Sequence, residues 1–172
     1  WRKRVGNEEA DRISKRSATR GTNIHTLCEK LVLNQPINLQ EEMPTNVDMF
    51  KQLQAPLIEH VTNIRVSEGS LFSHKLKVAG SVDLVASWKG RRAIIDFKTS
   101  LRNKKVEWIE NYFMQASMYS YMLWEMTGIQ HTDIVIMIAV EEESRAQIFE
   151  DSAVNWIDKA RQKCHQFHSF VV

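Results

Sequence analysis

Ile24, Leu27, Cys28, Leu31 and Val32 recur at the i, i+3, i+4, i+7, i+8 spacing of one helix face. This stripe predicts a helix over residues 7–33, with a break or bend near Thr19–Gly21. Residues 34–45 hold Pro36 and Pro44 and read as a loop. Val47, Phe50, Leu53, Leu57 and Ile58 then predict a second helix over 46–60. From Asn63 to Thr99 the pattern changes to runs of Val, Ile, Phe and Ser. Turn residues stand at Glu68–Ser70 and Lys89–Gly90, and three antiparallel strands are expected near 62–73, 76–88 and 91–99. Residues 105–127 form the longest expected helix, rich in aromatics and Met and ended by Gly128. Thr132–Val140 is almost continuously apolar and reads as a central strand. A turn over Glu141–Arg145, a short strand at 146–150 and a helix over 152–169 close the chain.

Helices, a strand meander, then helix–strand–strand–helix is the order of an α/β domain with a mixed central sheet flanked by helices. The 172 residues are read as one domain, N-terminal helices over 7–60 and a sheet with its helices over 61–172. At this size roughly 70% of the unfolded surface can be buried, so a core forms without staples. The composition, 43% hydrophobic and 26% charged, excludes a disordered chain. The longest apolar run, Ile134 to Val140, is far short of the ~20 residues of a membrane helix. No signal peptide opens the chain; it starts with Trp rather than Met, and further residues upstream are expected.

Cys28 and Cys164 lie in no CxxC or Cys/His spacing, which excludes a four-cysteine zinc or iron–sulfur site within these residues. Both read as buried small hydrophobes, and their number implies a reducing, intracellular compartment. Net charge is only +2, but it is unevenly spread. Residues 1–20 hold seven Lys/Arg against three acids, residues 89–105 seven against one, and residues 141–151 five acids against one Arg. Basic stretches gathered on one face would attract a polyanion, whereas scattered they are only solvated surface.

The chemistry concentrates in Gly80–Thr99. With Lys89-Gly90 as a two-residue hairpin loop, Trp88 faces Arg91 and, in step, Asp83 faces Asp96. Their Cβ atoms would lie ~5 Å apart on one sheet face, which Lys98 shares. Val82, Leu84, Val85, Ile94, Ile95 and Phe97 predict a sheet covered on both sides. Two buried carboxylates so placed repel, and one of three remedies is needed: a shared proton, a salt bridge to Lys98, or a divalent cation. Paired carboxylate oxygens suit Mg2+ or Mn2+.

Gly80-x-x-Asp83 followed by Ile94-x-Asp96-x-Lys98-Thr99 resembles the core of the PD-(D/E)XK nucleases. Upstream, Arg20-Gly21-Thr-Asn-Ile-His25 resembles the Arg-Gly-x-x-x-His helix motif of the RecB-like exonuclease branch, and downstream Gln115-Ala-Ser-Met-Tyr119 resembles its Gln-x-x-x-Tyr motif. Phage-type and mitochondrial-type single-strand exonucleases are the relatives this pattern is most similar to.

The resemblance implies a restriction-endonuclease-like core and metal-dependent hydrolysis of DNA phosphodiesters, with Mg2+ or Mn2+ as cofactor. It implies that Asp83 and Asp96 bind the metal with His25, that the backbone carbonyl of Phe97 completes the site, and that Lys98 positions the attacking water. His25 taken alone reads first as a core histidine. Glu68 is a weaker expected ligand and equally a turn residue; Glu29 supports His25 or is merely exposed. Gln115 and Tyr119 share a helix face and are expected beside the scissile phosphate. That face also carries Trp108 and Tyr112, aromatics for core packing or for stacking on bases. Arg20, Arg102, Lys104 and Lys105 are expected at DNA phosphates. His131, His165 and His168 match no motif.

The expected activity is an exonuclease acting on single-stranded DNA ends, in DNA repair or recombination or in a phage. The compartment would be the cytoplasm, a phage-infected host cell or the mitochondrial matrix. The alternatives are a structure-specific endonuclease, as in junction resolvases and restriction enzymes, and a non-catalytic DNA-binding module. The oligomeric state is open.

Overall fold

In the computed structural model, residues 2–170 are described, the side chains of His168 and Phe170 excepted. A short helix α1 (Arg2–Val5) leads into α2 (Asn7–Val32), and α3 spans Pro44–His60. The sheet strands are β1 (Val61–Ser73), β2 (Val78–Trp88), β3 (Arg91–Ser100), β4 (Asp133–Val140) and β5 (Gln147–Ser152). Helix α4 (Glu110–Thr127) connects β3 to β4, and α5 (Ile157–Phe170) closes the chain.

The five strands lie in the order β1-β2-β3-β4-β5, antiparallel except for the parallel β3–β4 pair. This is the mixed sheet expected, with α4 as the crossover that a parallel pair requires. Strand β4 is internal as its apolar run implies, but the middle of the sheet is β3. Both faces are covered. Val85, Ile94, Ile134, Ile136 and Ile138 pack with Phe113, Met118 and Met122 of α4 on one side. Leu84, Ala86, Ile95, Phe97 and Met137 pack with Ile24 and Leu27 of α2 and Phe50 and Leu53 of α3 on the other.

Three expectations are corrected. Helix α2 runs unbroken through Thr19–Gly21. A glycine costs a helix only about 1 kcal/mol relative to alanine, and Ile24, Leu27 and Cys28, all buried, hold the helix to the sheet. Glu68–Ser70 is not a turn but lies within β1. The reversal comes at residues 74–77, where the Glu125 carboxylate of α4 accepts hydrogen bonds from the Ser73 hydroxyl and the His74 and Lys75 amides. The helix expected from residue 105 begins with a 3-10 turn over Val106–Trp108 and becomes α-helical only at Glu110.

Gly128 ends α4 in the left-handed conformation, φ 72°, as its position implied. Cys28 is buried, whereas Cys164 on α5 is only half-buried. His131, without a motif, is a core residue, 2% exposed. His165 is exposed, and the His168 side chain lies outside the described residues. Among the described residues no helix is long and apolar enough to cross a membrane.

Candidate metal centre

The β2–β3 hairpin has the expected register, from Trp88↔Arg91 to Leu84↔Ile95. Pairing stops there, one position before Asp83 and Asp96 would meet. Beyond that point β2 stays with β1, and β3 stays with β4 to Ser100. The carboxylate of Asp83 spans the opening: its Oδ2 accepts the Phe97 amide at 2.7 Å. A side chain thus takes the hydrogen bond that the ladder gives up, as a buried amide requires.

On its other edge β2 pairs with β1, and Ser67↔Leu84 and Gly69↔Val82 put Glu68 across from Asp83. Glu68 has φ 50°, a left-handed conformation that costs a non-glycine residue of order 1 kcal/mol. Strict alternation is also lost here. Val82 and Val85, three positions apart, both join the core on the α4 side, whereas even spacing is the rule within a strand. Both strands are therefore irregular at the level of the two acids.

His25 reaches this point from the middle of α2. Its Nε2 lies 2.9 Å from the Phe97 carbonyl oxygen. A carbonyl only accepts, so Nε2 carries the hydrogen, and Nδ1 faces Asp83 Oδ1 at 3.3 Å and Glu68 Oε1 at 3.6 Å. Burial lowers the His25 pKa, but the hydrogen bond and charge of Asp83, with the charge of Glu68, outweigh it and the net shift is upward. Glu68 is raised by burial and by the neighbouring Asp83 charge.

One ligand atom from each of His25, Glu68 and Asp83 lies within 4.8 Å of the others, a set able to hold a metal ion. Glu68, the weakest of the expected ligands, belongs to the cluster because its left-handed backbone presents it there. The Phe97 carbonyl, expected as a ligand, accepts the His25 Nε2 hydrogen, a contact that fixes the imidazole's tautomer.

Asp96 stands apart from this triplet. It is 1% exposed, and its Oδ2 is 2.5 Å from Lys98 Nζ. Burial raises its pKa, Lys98 opposes the rise, and the charge of Asp83 adds to it, so the two acids share one electrostatic site. The salt bridge to Lys98 is thus the remedy this structure shows for Asp96. Lys98 Nζ also lies 5.2 Å from the Tyr112 ring centroid. Further along α4, Gln115 Nε2 donates to Tyr119 Oη at 2.9 Å. Tyr119 is pushed up to about 12 by burial and by the nearby Asp96 charge. The motif residues of α2, β2, β3 and α4 therefore meet where the ladder opens.

The expected DNA contacts are less uniform. Arg102 and Lys105 are exposed on the segment between β3 and α4, with Lys104 half-buried there. Lys105 Nζ lies 5.5 Å from the Trp108 ring centroid. Trp108 is 62% exposed and sits on the 3-10 turn, not on the helix face of Gln115. Arg20, expected at a DNA phosphate, is engaged within the fold. It is 7% exposed and pairs with Glu141 Oε2 at 2.7 Å, tying α2 to the end of β4. Glu29 is half-buried and lines, with Thr22, Thr26, His25 and Glu68, the hollow over the cluster.

Gly80, the first position of the Gly-x-x-Asp motif, is required by packing. A Cβ there would lie 2.9 Å from Tyr119 Cε1. Sequence reasoning missed Gln52 altogether. Its side-chain amide donates to the carbonyls of Val140 and Glu143 and its oxygen accepts the Val140 amide, satisfying the end of β4.

A mixed sheet between two helical layers, opened beside its central strand around carboxylates and a lysine, defines an α/β hydrolytic fold of the restriction-endonuclease kind. The sequence comparison agrees: residues 38–166 match the PD-(D/E)XK nuclease superfamily, and the chain belongs to it. The matched span begins after α2, so Arg20 and His25 lie outside it. No curated protein matches in sequence. Among solved structures, a candidate exonuclease from Eubacterium rectale is similar in fold at 12% identity and a TM-score of 0.56. The similarity covers 86% of this chain and 64% of that one.

Proposed function

We propose that this domain is a metal-dependent exonuclease of the RecB-like branch, hydrolysing DNA from single-stranded ends with Mg2+ or Mn2+. The observation that carries the reading is the meeting of His25, Glu68 and Asp83 beside the Asp96–Lys98 pair at the opened ladder. Family membership supports phosphodiester chemistry. The exonuclease character, the strand preference and the role in repair or recombination are inferred from the motif pattern.

The donor set, one imidazole and carboxylate oxygens, fits a hard or borderline divalent ion, and the nitrogen favours Mn2+ over Mg2+. Such an ion lowers the pKa of water and offsets charge building on the phosphate. Glu68, Asp83 and His25 Nδ1 would hold it, with Asp96 contributing its charge from the next strand. Lys98 would orient the attacking water through an ammonium hydrogen, itself steadied by Asp96 and the Tyr112 face. Gln115 and the Tyr119 hydroxyl would position the scissile phosphate. Arg102, Lys104 and Lys105 would meet neighbouring phosphates, while Tyr112 and the exposed Trp108 offer faces on which unpaired bases stack, about 1–3 kcal/mol per base.

The test is cleavage of end-labelled linear and circular single strands of one sequence with Mn2+. Wild-type protein should degrade the linear strand and spare the circle, and Lys98→Ala should degrade neither. Cutting of the circle identifies an endonuclease. Undiminished cleavage by Lys98→Ala removes the mechanism.

A further inference from the structure

The first half of α2 presents Arg12, Lys15 and Arg16, and the catalytic reading makes no use of them. Arg12, Lys15, Arg16 and Thr19 line one wall of a groove of about 330 Å3, and Thr45 and Asn46, in the first turn of α3, line the other. No carboxylate is among the lining residues. Helix α3 brings its N-terminus to the groove without a side-chain cap and without an acidic residue in its first turn. Its free amides and dipole thus add to the positive field.

Carboxylates stand around the groove: Glu42 accepts from Asn46 Nδ2 at 3.4 Å, and two others approach the cations themselves. Glu9 pairs with Arg12, which is 77% exposed, and Glu141 lies 3.5 Å from Arg16, which is 72% exposed. The exposed Arg12–Glu9 pair contributes about 0–1 kcal/mol, and Glu141 is held more closely by Arg20, at 2.7 Å. A phosphate that offers a guanidinium a fork of two oxygens can replace them.

The groove connects to the metal centre along the same helix. Lys15, Thr19, Thr22 and Thr26 fall at i, i+4, i+7 and i+11, a single stripe, and all four are exposed. Thr22 and Thr26 line the hollow that His25 and Glu68 also line. At 1.5 Å per residue the path from Arg12 to His25 is about 20 Å. The stripe thus carries cations at its far end, hydroxyls along its length and the acidic metal cluster at its near end. A ligand that follows it must be anionic at intervals, long, and reach the cluster with one of its anionic groups.

We infer that the face of α2 from Arg12 to Thr26 is a track for the backbone of a nucleic-acid strand, holding phosphates several nucleotides away from the one at the metal centre. The inference deepens the nuclease reading, and it rests on that reading for the direction of the strand.

The test uses the full chain and the exposed triple variant Arg12→Gln/Lys15→Gln/Arg16→Gln. Binding of a labelled 20-nucleotide single strand is measured in EDTA over a series of NaCl concentrations. Three phosphate contacts to a single strand contribute a log–log salt slope of about 2. The variant's slope should be shallower by that amount, and its affinity in 0.1 M NaCl weaker by tenfold or more. With Mn2+, the variant should cut a dinucleotide at the wild-type rate and the 20-nucleotide strand more slowly.

Unchanged affinity and slope in the variant overturn the track, even where the wild-type protein cuts DNA. Variant-sensitive binding by a wild-type protein that cuts nothing supports the track and removes the nuclease reading instead.

Discussion

Gly80 of β2 and Tyr119 of α4 are in contact so close that a methyl group on the glycine would sit 2.9 Å from the ring carbon Cε1. The ring cannot retreat easily, being 7% exposed and tied through its hydroxyl to Gln115. Gly80→Ala should therefore displace Tyr119 from the opening of the ladder. The expected result is a 10- to 100-fold loss of cleavage with destabilisation of about 1–3 kcal/mol. A double-mutant cycle checks the cause: in a Tyr119→Leu background, Gly80→Ala should add little further loss. Equal losses in both backgrounds would place its effect elsewhere.

Asp96 makes the metal-free protein sensitive to pH. Burial lifts its pKa from 3.8 to about 6 despite Lys98. A raised acid contributes stability that is fully present below the unfolded value and is lost as pH rises through the folded one. In EDTA at pH 7, Asp96→Asn should thus be more stable than wild type by about 1–3 kcal/mol, a few degrees in Tm. Near pH 4 the difference should vanish. Melting curves at the two pH values decide it; a variant less stable at pH 7 would show that the Lys98 pair outweighs burial.

Glu68 should matter for metal affinity more than its exposure suggests. It is one of three groups whose ligand atoms converge, while Glu29 lines the same hollow without belonging to the triplet. Glu68→Gln should weaken Mn2+ binding about tenfold or more by calorimetry, and Glu29→Gln by about threefold or less. Equal effects would mean that the hollow acts through its overall charge rather than through the triplet.

The Arg20–Glu141 pair should act in folding. Glu141→Gln leaves a guanidinium that is 7% exposed with only a neutral partner, a loss of about 2–4 kcal/mol in chemical denaturation. Arg20→Met, which removes the charge and keeps the volume, should lose less. If Arg20→Met instead left stability unchanged and abolished DNA binding, Arg20 would be a phosphate contact after all.

The hydrophobic pattern was enough to locate every helix and strand of the sheet layers to within a few residues, because burial on one helix stripe or both strand faces leaves a periodic record. The Lys89-Gly90 turn and even spacing also determined the hairpin register as far as Leu84↔Ile95. Tertiary structure alone decided where that ladder opens, since this depends on Asp83 taking the Phe97 amide. It alone put Glu68 beside His25, through a left-handed residue that resembles a turn in one dimension. It turned Arg20 inward because Glu141, 121 residues away, supplies its counter-charge. Local preferences are written residue by residue along a chain, but the partner that satisfies a buried charge is chosen by the packing of distant elements, and no spacing rule encodes it.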